Sequence, residues 1–233
     1  MEGTSTSDSK KHFLIVFAHQ NHKSFNSAVK DRTIEAILEN GHTYDLSDLY
    51  DMKFYPVAGK QDFKVLLNPE DFNILNEQQN ALKNDLYIEE IKIEMEKVKR
   101  ADFLIFIFPL WWASVPAIMK GWIDRIFSCD FAWGYSNLFH KGLMLGKRAA
   151  VFTSAGGDLK EYSLEGDQKA SLQVSLNHIH RGSLAFCGFD VLPLHSIYEV
   201  ESCPQEERKN YLEEIDKIIR NFGIADLLHK MSG

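Results

Sequence analysis

The chain has 233 residues, 45% of them hydrophobic, and a formal net charge of −7 at neutral pH. That length supports one sizeable core. The acidic balance, with no Lys/Arg block, excludes a nucleic-acid backbone as partner and gives no reason to expect stable association with an anionic membrane surface.

Residues 1–11 are polar and read as a disordered tail. Phe13–Ala18 (FLIVFA) is a continuous apolar run, as expected of a strand covered on both faces, and is too short for a signal h-region. The preceding residues lack the arginines of a transit peptide. Ser24 and Asn26 offer caps for a helix that runs to about Leu38 and stops at Asn40-Gly41. His42–Leu46 is a weak second strand. A long crossover follows, Ser47–Arg100, which holds a helix with Ile88, Ile91, Met95 and Val98 on one face. Crossovers need only a dozen or so residues, so this one carries an insertion.

Phe103–Phe108 is the third strand. The uncharged stretch Phe103–Met119 approaches the length of a membrane helix, but Pro109 and Pro116 interrupt it and Asp102 and Lys120 close it off. A buried strand that leads through an aromatic loop into a helix fits better, with Asp124 and Arg125 early in that helix. Arg148–Thr153 is the fourth strand, a helix is expected over Gln168–Leu184, and Phe189–Ile197 is a fifth strand. Ser202 to Gln205 has the spacing of a capping box for a last amphipathic helix carrying Leu212, Ile215, Ile219 and Phe222. Strands alternating with helices predict an α/β fold, a doubly wound parallel sheet. The expected organisation is one domain over residues 12–223, with a C-terminal tail at 224–233.

In such a sheet, ligands lie beyond the carboxyl ends of the strands. Three loops fall there. Ala18–Ala28 (AHQNHKSFNSA) offers hydroxyl and amide donors, His19, Lys23 and a helix N-terminus, which suits a phosphate as well as it suits an ordinary capped helix start. It has neither the glycines of GxGxxG nor the GK[ST] ending of a P-loop. Leu110-Trp111-Trp112-Ala113 presents faces for a planar ring, though tryptophans equally fill cores and dimer interfaces. Thr153-Ser154-Ala155-Gly156-Gly157, followed by Tyr162, lets backbone N–H groups approach a ligand closely, or is a flexible turn. Taken together, the three loops suit a flavin nucleotide in a flavodoxin-like fold of strand order 2-1-3-4-5. His178-x-His180 has no cysteine or acidic partner at ligand spacing, so no metal site is expected. Cys129, Cys187 and Cys203 form no CxxC and no even framework, which points to a reducing compartment.

The motifs AHQNHKSFN, FPLWWASVPAIMKGWIDRIF, the AGG loop with EYSLEG, and FCGF resemble the two-electron NAD(P)H:quinone oxidoreductases of the DT-diaphorase type, from about Phe13 to Phe222. The resemblance implies a cytoplasmic homodimer with shared active sites that carries FAD rather than FMN. It would reduce quinones, with azo and nitro compounds as further acceptors, by ping-pong hydride transfer from NAD(P)H. It places His19, Phe25, Asn26, Ser27 and Ala28 at the phosphate and ribityl region of the flavin, and Leu110, Trp111, Trp112 and Ala113 along its ring. Ser154, Ala155, Gly156, Gly157 and the Tyr162 hydroxyl fall at the pyrimidine edge, and Glu201 and Arg208 near the adenosine. Asn73 is implied as a flavin contact from the partner subunit. Ala132, Trp133, Gly134, Tyr135 and Phe186 are implied in the substrate pocket, also from across the dimer. Gly156, Gly157, Tyr162 and Gln168 are the candidate catalytic groups.

The sequence departs from the family at several of these positions. Gln168 stands where a histidine partners the active-site tyrosine, and glutamine cannot become cationic. Ala113 replaces a common aromatic, Trp133 a tyrosine, and Glu161 an apolar rim residue. Arg181 and Ala185 occupy the positions of a structural metal site found in shorter members. Two alternatives accompany this reading: a flavoprotein regulatory subunit of a potassium efflux system, and an electron-transfer flavodoxin, which the aromatic set fits poorly.

Overall fold

The computed structural model describes residues 10–222, so the expected tails lie outside it except for residues 10 and 11. Six parallel strands form one sheet: β1 (His12–Phe17), β2 (Thr43–Asp48), β3 (Phe103–Pro109), β4 (Arg148–Ser154), β5 (Asp190–Val191) and β6 (His195–Ile197). The order is β2-β1-β3-β4-β5, with β6 also on β4. The flavodoxin-like order 2-1-3-4-5 therefore holds, with one correction to the strand count. The expected fifth strand is two short pieces: β5 pairs with the start of β4 (Arg148↔Asp190) and β6 with its end (Phe152↔His195). Pro193 lies between them and cannot donate to a ladder.

β1 and β3 are apolar throughout because both of their faces are covered, and the side-chain period of two divides them between two cores. Phe13, Ile15 and Phe17 of β1, with Phe103, Ile105 and Ile107 of β3, pack on the side of α1 (Phe25–Glu39) and α7 (Gln205–Asn221). Leu14, Val16, Leu104, Phe106 and Phe108 face the other way, toward α3 (Glu89–Arg100) and α4 (Ala117–Ile126). α2 (Ile74–Asn84) belongs to the long insertion and adds Ala81 to that second core.

Local chemistry sets the helix ends, not always as the sequence suggested. Ser24 caps α1, its side chain accepting from the Ser27 amide. The capping box expected at Ser202–Gln205 does not form: Pro204 is the N-cap of α7 without a side-chain bond, and the Ser202 hydroxyl turns back to the Glu199 carbonyl. The helix expected from Gln168 starts at Leu172, where Ser171 caps it by accepting from Val174. It then breaks into α5 (Leu172–Ser175), α6 (Asn177–Ile179) and a π turn over His180–Ala185. Residues 157–170 are loop, with four acids and two glycines that do not hold a helix start.

Asp124 and Arg125 sit late in α4, not early. Asp124 pairs locally with Lys120 at 2.6 Å, while Arg125 is buried and reaches the insertion. Gly121, one turn before, lets α4 lie directly on the insertion, because a Cβ there would run into the Pro56 carbonyl. No helix among the described residues is long and apolar enough to cross a membrane. The three cysteines are free and buried.

Candidate active site

The three loops meet beyond the carboxyl ends of β1, β3 and β4 and are bonded to one another. Asn26, in the first turn of α1, donates its side-chain amide to the Ser154 hydroxyl at 2.7 Å, a buried bond. The Leu110 amide donates to the Ser154 carbonyl at 2.8 Å. The His19 ring lies 6.4 Å from the Trp111 ring. One residue at the end of β4 thus ties both other loops into a single rim.

The first loop is self-braced. The Asn21 amide donates to His19 Nδ1 at 3.0 Å, and the Lys23 amide to the Asn21 side chain at 2.9 Å. A backbone N–H can only donate, so Nδ1 is the acceptor and the ring hydrogen of neutral His19 sits on Nε2. Burial holds the His19 pKa below its ordinary value, so this neutral tautomer prevails at pH 7. The Ser27 hydroxyl donates to the Asn21 carbonyl at 3.0 Å. The Phe25 and Asn26 amides at the positive end of α1 have no partner among the described residues and are free for an anion.

The second loop is a two-residue turn. Trp111 and Ser114 exchange both backbone bonds at 3.0 Å, and the central residues Trp112 and Ala113 have φ of +52° and +54°. Left-handed backbone is disfavoured for residues with a Cβ, so such outliers point to function. The Trp112 and Ala113 amides are unpaired among the described residues, and the Trp112 side chain stands free of the protein at 101% relative exposure.

In the third loop, Ala155 is locked in place: its amide donates to Ile197 at 2.8 Å and its carbonyl accepts from Val200 at 3.1 Å. The Gly156 and Gly157 amides have no partner among the described residues. A Cβ at Gly156 would meet nothing within 4 Å, whereas one at Gly157 would collide with the Glu161 carboxylate. Tyr162 packs beside Tyr198, with ring centroids 6.0 Å apart, and burial, then the Glu161 charge, raises its pKa. Its hydroxyl therefore remains a proton-bearing donor at neutral pH. Gln168 does not bond to Tyr162; its side-chain amide donates to Glu161 at 3.1 Å and its backbone amide to the Glu161 carbonyl at 3.2 Å.

The first loop opens onto a groove of about 390 Å³ between the starts of α1 and α7, lined by Lys23, Phe25, Ala28, Arg208 and Leu212. The Arg208 guanidinium lies 5.9 Å from the Phe25 ring and donates to the carbonyls of Val200 at 2.6 Å and Glu201 at 3.2 Å. Glu201 itself is exposed.

The remaining sequence candidates gather elsewhere on the chain. The Trp133 ring lies 6.1 Å from Tyr135 and 5.8 Å from Phe186, and its indole N–H donates to the Phe127 carbonyl at 3.0 Å. Trp133 and Phe186 join Ile74 and Leu75 of α2 around a cavity of about 440 Å³. Asn73 caps α2, accepting from Leu75 and Asn76 at 3.1 Å, so it neighbours this aromatic group and has no bond to the three loops. Gly134 pairs with Asn137 in a turn, and Ala132 is fully buried in the core, which leaves none of it at the surface of the chain.

Sequence reasoning missed Tyr198, whose position one residue after β6 was the available signal, and the pairing of Ser114 with His178 across the second loop. His178 Nε2 lies 2.8 Å from the Ser114 hydroxyl, while His180 Nε2 bonds to the Leu192 carbonyl at 2.8 Å, so the two histidines face different partners. One grouping with ligand spacing does occur: His22, Asp48 and Asp51. There His22 Nε2 lies 3.2 Å from Asp51 Oδ1, and Asp48 accepts from the Asp51 amide at 3.4 Å.

A family model described as a flavodoxin-like fold matches residues 11–219. The chain is 38% identical over 209 residues to an NAD(P)H dehydrogenase [quinone] 1 from Cavia porcellus, covering 89% of this chain and 76% of the relative. It is 40% identical over 200 residues to a ribosyldihydronicotinamide dehydrogenase [quinone] from Homo sapiens, covering 85% and 86%. The chain belongs to the NAD(P)H:quinone oxidoreductase family. It is an oxidoreductase with a flavodoxin-like fold. Among solved structures, a quinone reductase described as putative from Klebsiella pneumoniae superimposes with a TM-score of 0.85 at 29% identity, over 91% of this chain and 85% of that one. An NAD(P)H:quinone oxidoreductase from Methanothermobacter marburgensis gives 0.70 at 27%, over 92% and 98%.

Proposed function

We propose that this oxidoreductase is a cytoplasmic, homodimeric NAD(P)H-dependent quinone reductase that holds FAD in the three-loop crevice. The observation that carries the reading is the double tie at Ser154, from Asn26 at 2.7 Å and from Leu110 at 2.8 Å. It brings together a helix N-terminus, two turn amides and two glycine amides, all without a partner among the described residues. Such a set fits an anionic tail joined to a flat ring with acceptor atoms on two edges. The groove between α1 and α7 favours FAD over FMN: it continues from the phosphate-binding end, and Phe25 and Arg208 offer stacking faces for a second aromatic base.

When bound, the flavin supplies hydride chemistry, taking a hydride from a reduced nicotinamide and passing it to a quinone in alternate half-reactions. The chain's own residues bind and orient. Phe25 and Asn26 amides, with His19 Nε2–H, hold phosphate. Trp112 and Ala113 amides hold one edge of the ring. Gly156 and Gly157 amides and the Tyr162 hydroxyl stabilise negative charge on the other. Fixing reacting groups in near-attack geometry can supply about 7–11 kcal/mol of a barrier.

The division of the chain into two groups of site residues supports the homodimer. Trp133, Tyr135 and Phe186 pack on one another beside α2, with no bond to the three loops among the described residues, and Tyr135, at 70% exposure, and Trp112 offer exposed aromatic surface. Placing one subunit's aromatic group over the other's crevice completes both sites and buries that surface.

The test is to purify the protein, release and identify any yellow cofactor, and assay menadione reduction with NADH, NADPH and two N-substituted dihydronicotinamides. A flavin-loaded dimer with menadione turnover is expected. A colourless protein that takes up neither FAD nor FMN ends the proposal.

A further inference from the structure

The turn that carries Trp112 and Ala113 is held in an unfavourable backbone state by very little. Both central residues are left-handed, with φ of +52° and +54°, and neither is glycine, the residue that adopts such angles without steric penalty. The two exchanged Trp111–Ser114 backbone bonds close the turn but do not orient it. Among the described residues, one hydrogen bond reaches residues 111–114 from another element: His178 Nε2 to the Ser114 hydroxyl, 2.8 Å. His178 is itself fixed. Its Nδ1 lies 2.9 Å from the Ser175 carbonyl, which can only accept, so Nδ1 carries a hydrogen, and in that tautomer Nε2 accepts from the Ser114 hydroxyl. The Ser183 hydroxyl, inside the π turn, donates to the His178 carbonyl at 3.0 Å. Breaks in helical winding of this kind concentrate where a side chain has to be aimed.

We propose that Ser114 and His178 form a latch that holds the Trp112–Ala113 turn in register with the crevice, so that the two free amides face the bound ring. Both are positioning residues. The inference rests on the flavin reading above and adds to it a requirement outside the three loops, on the helix that follows them in sequence. The latch opposes the strain of the turn: without it, the turn relaxes toward right-handed or extended backbone and its amides leave the ring edge.

The test uses the full-length protein loaded with FAD, diluted sharply, with flavin release followed by fluorescence. Loss of one net hydrogen bond predicts release about three- to tenfold faster in Ser114→Ala and in His178→Ala. The double variant should be no faster than either single one, because both remove the same bond. Ser114→Thr, which keeps the hydroxyl, should release at the wild-type rate. Ala113→Gly added to Ser114→Ala should restore slow release, since glycine removes the strain that the latch opposes. That rescue separates the latch from simple packing, which a glycine would not repair. Wild-type release in Ser114→Ala, multiplying effects in the double variant, or absence of rescue by Ala113→Gly each overturn the latch. A wild-type protein that retains no flavin overturns the parent reading, and the latch with it.

Discussion

Arg125 is the side chain whose removal should damage this fold most, and the structure sets the size of the effect. Its guanidinium is 1% exposed at the end of α4 and makes four polar contacts. Nε and Nη2 reach Asp62 Oδ1 at 2.9 and 2.8 Å; Nη1 reaches Glu90 at 2.7 Å and the Tyr55 carbonyl at 2.6 Å. The Phe54 ring lies 4.8 Å from the guanidinium carbon. Asp62 is 5% exposed and keeps only the Gly59 amide, at 3.1 Å, once Arg125 is gone. Arg125→Met therefore strands a buried carboxylate, which costs about 3–5 kcal/mol. The Glu90 contact adds little, because that carboxylate is 32% exposed and solvent screens it. For a chain of this size each kcal/mol moves Tm by about 2–4 °C, so a fall of roughly 6–20 °C is expected. Urea melts of Arg125→Met and of Arg125→Met with Asp62→Leu measure this directly, and the double variant should recover much of the loss because no charge is left unpaired. A single variant within 1 kcal/mol of wild type, or a double variant no better than the single, would refute the claim that this pair bolts the insertion to α4.

Other expectations concern the site and its pH behaviour. Asn26→Ala removes the buried donor to Ser154 and should cost about 1–3 kcal/mol of stability while speeding flavin release; unchanged release would detach this bond from the crevice. Tyr162→Phe should slow hydride transfer into the flavin, measured by stopped-flow absorbance, by at least tenfold; losing one such donor typically costs about 2.7–4 kcal/mol. Because burial raises the Tyr162 pKa, that donor role should persist above pH 10, the ordinary tyrosine value, before being lost. His195 is buried against Tyr211, ring centroids 4.1 Å apart, and burial depresses its pKa below 6.5. The unfolded state then binds the proton more readily, so the stability this site contributes is full above pH 6.5 and lost as pH falls through the folded value. His195→Gln should flatten the stability curve below pH 6.5, and an unaltered acid limb would place the effect elsewhere.

The two strands buried on both faces were legible from the sequence because Phe13–Ala18 and Phe103–Phe108 are apolar at every position, which only doubly covered parallel strands require. The edge of the sheet was not. β5 and β6 read as one strand because Phe189–Ile197 is mostly apolar, and only the tertiary pairing with the two ends of β4 shows Pro193 to be a break. The helix expected from Gln168 failed for a related reason: periodicity marks a helix interior, while its start depends on which residue can cap, and Ser171 rather than Gln168 does. At the site, the loops were legible from their place after strands and from unusual residues such as Trp111-Trp112 and Gly156-Gly157. The Ser154 tie, the positive φ at Trp112 and Ala113, and the 64-residue separation of Ser114 from His178 were not, because each depends on the register between segments distant in the chain.

The division of labour between sheet and rim explains why a strained turn is tolerated here at all. β1, β3 and β4 are held on both faces by apolar contacts and along both edges by parallel pairing, so their ends are fixed points. A turn rooted on such points can hold two left-handed residues at about 1–2 kcal/mol each without endangering the fold. Relaxing the turn would turn Trp112 and two amides away from the crevice while gaining the core nothing, since none of those groups is buried in it. The strain is thus local, and what opposes it must be local too. The pair at Ser114 and His178 meets that requirement: it lies outside both hydrophobic cores and grips the turn at the residue that closes it.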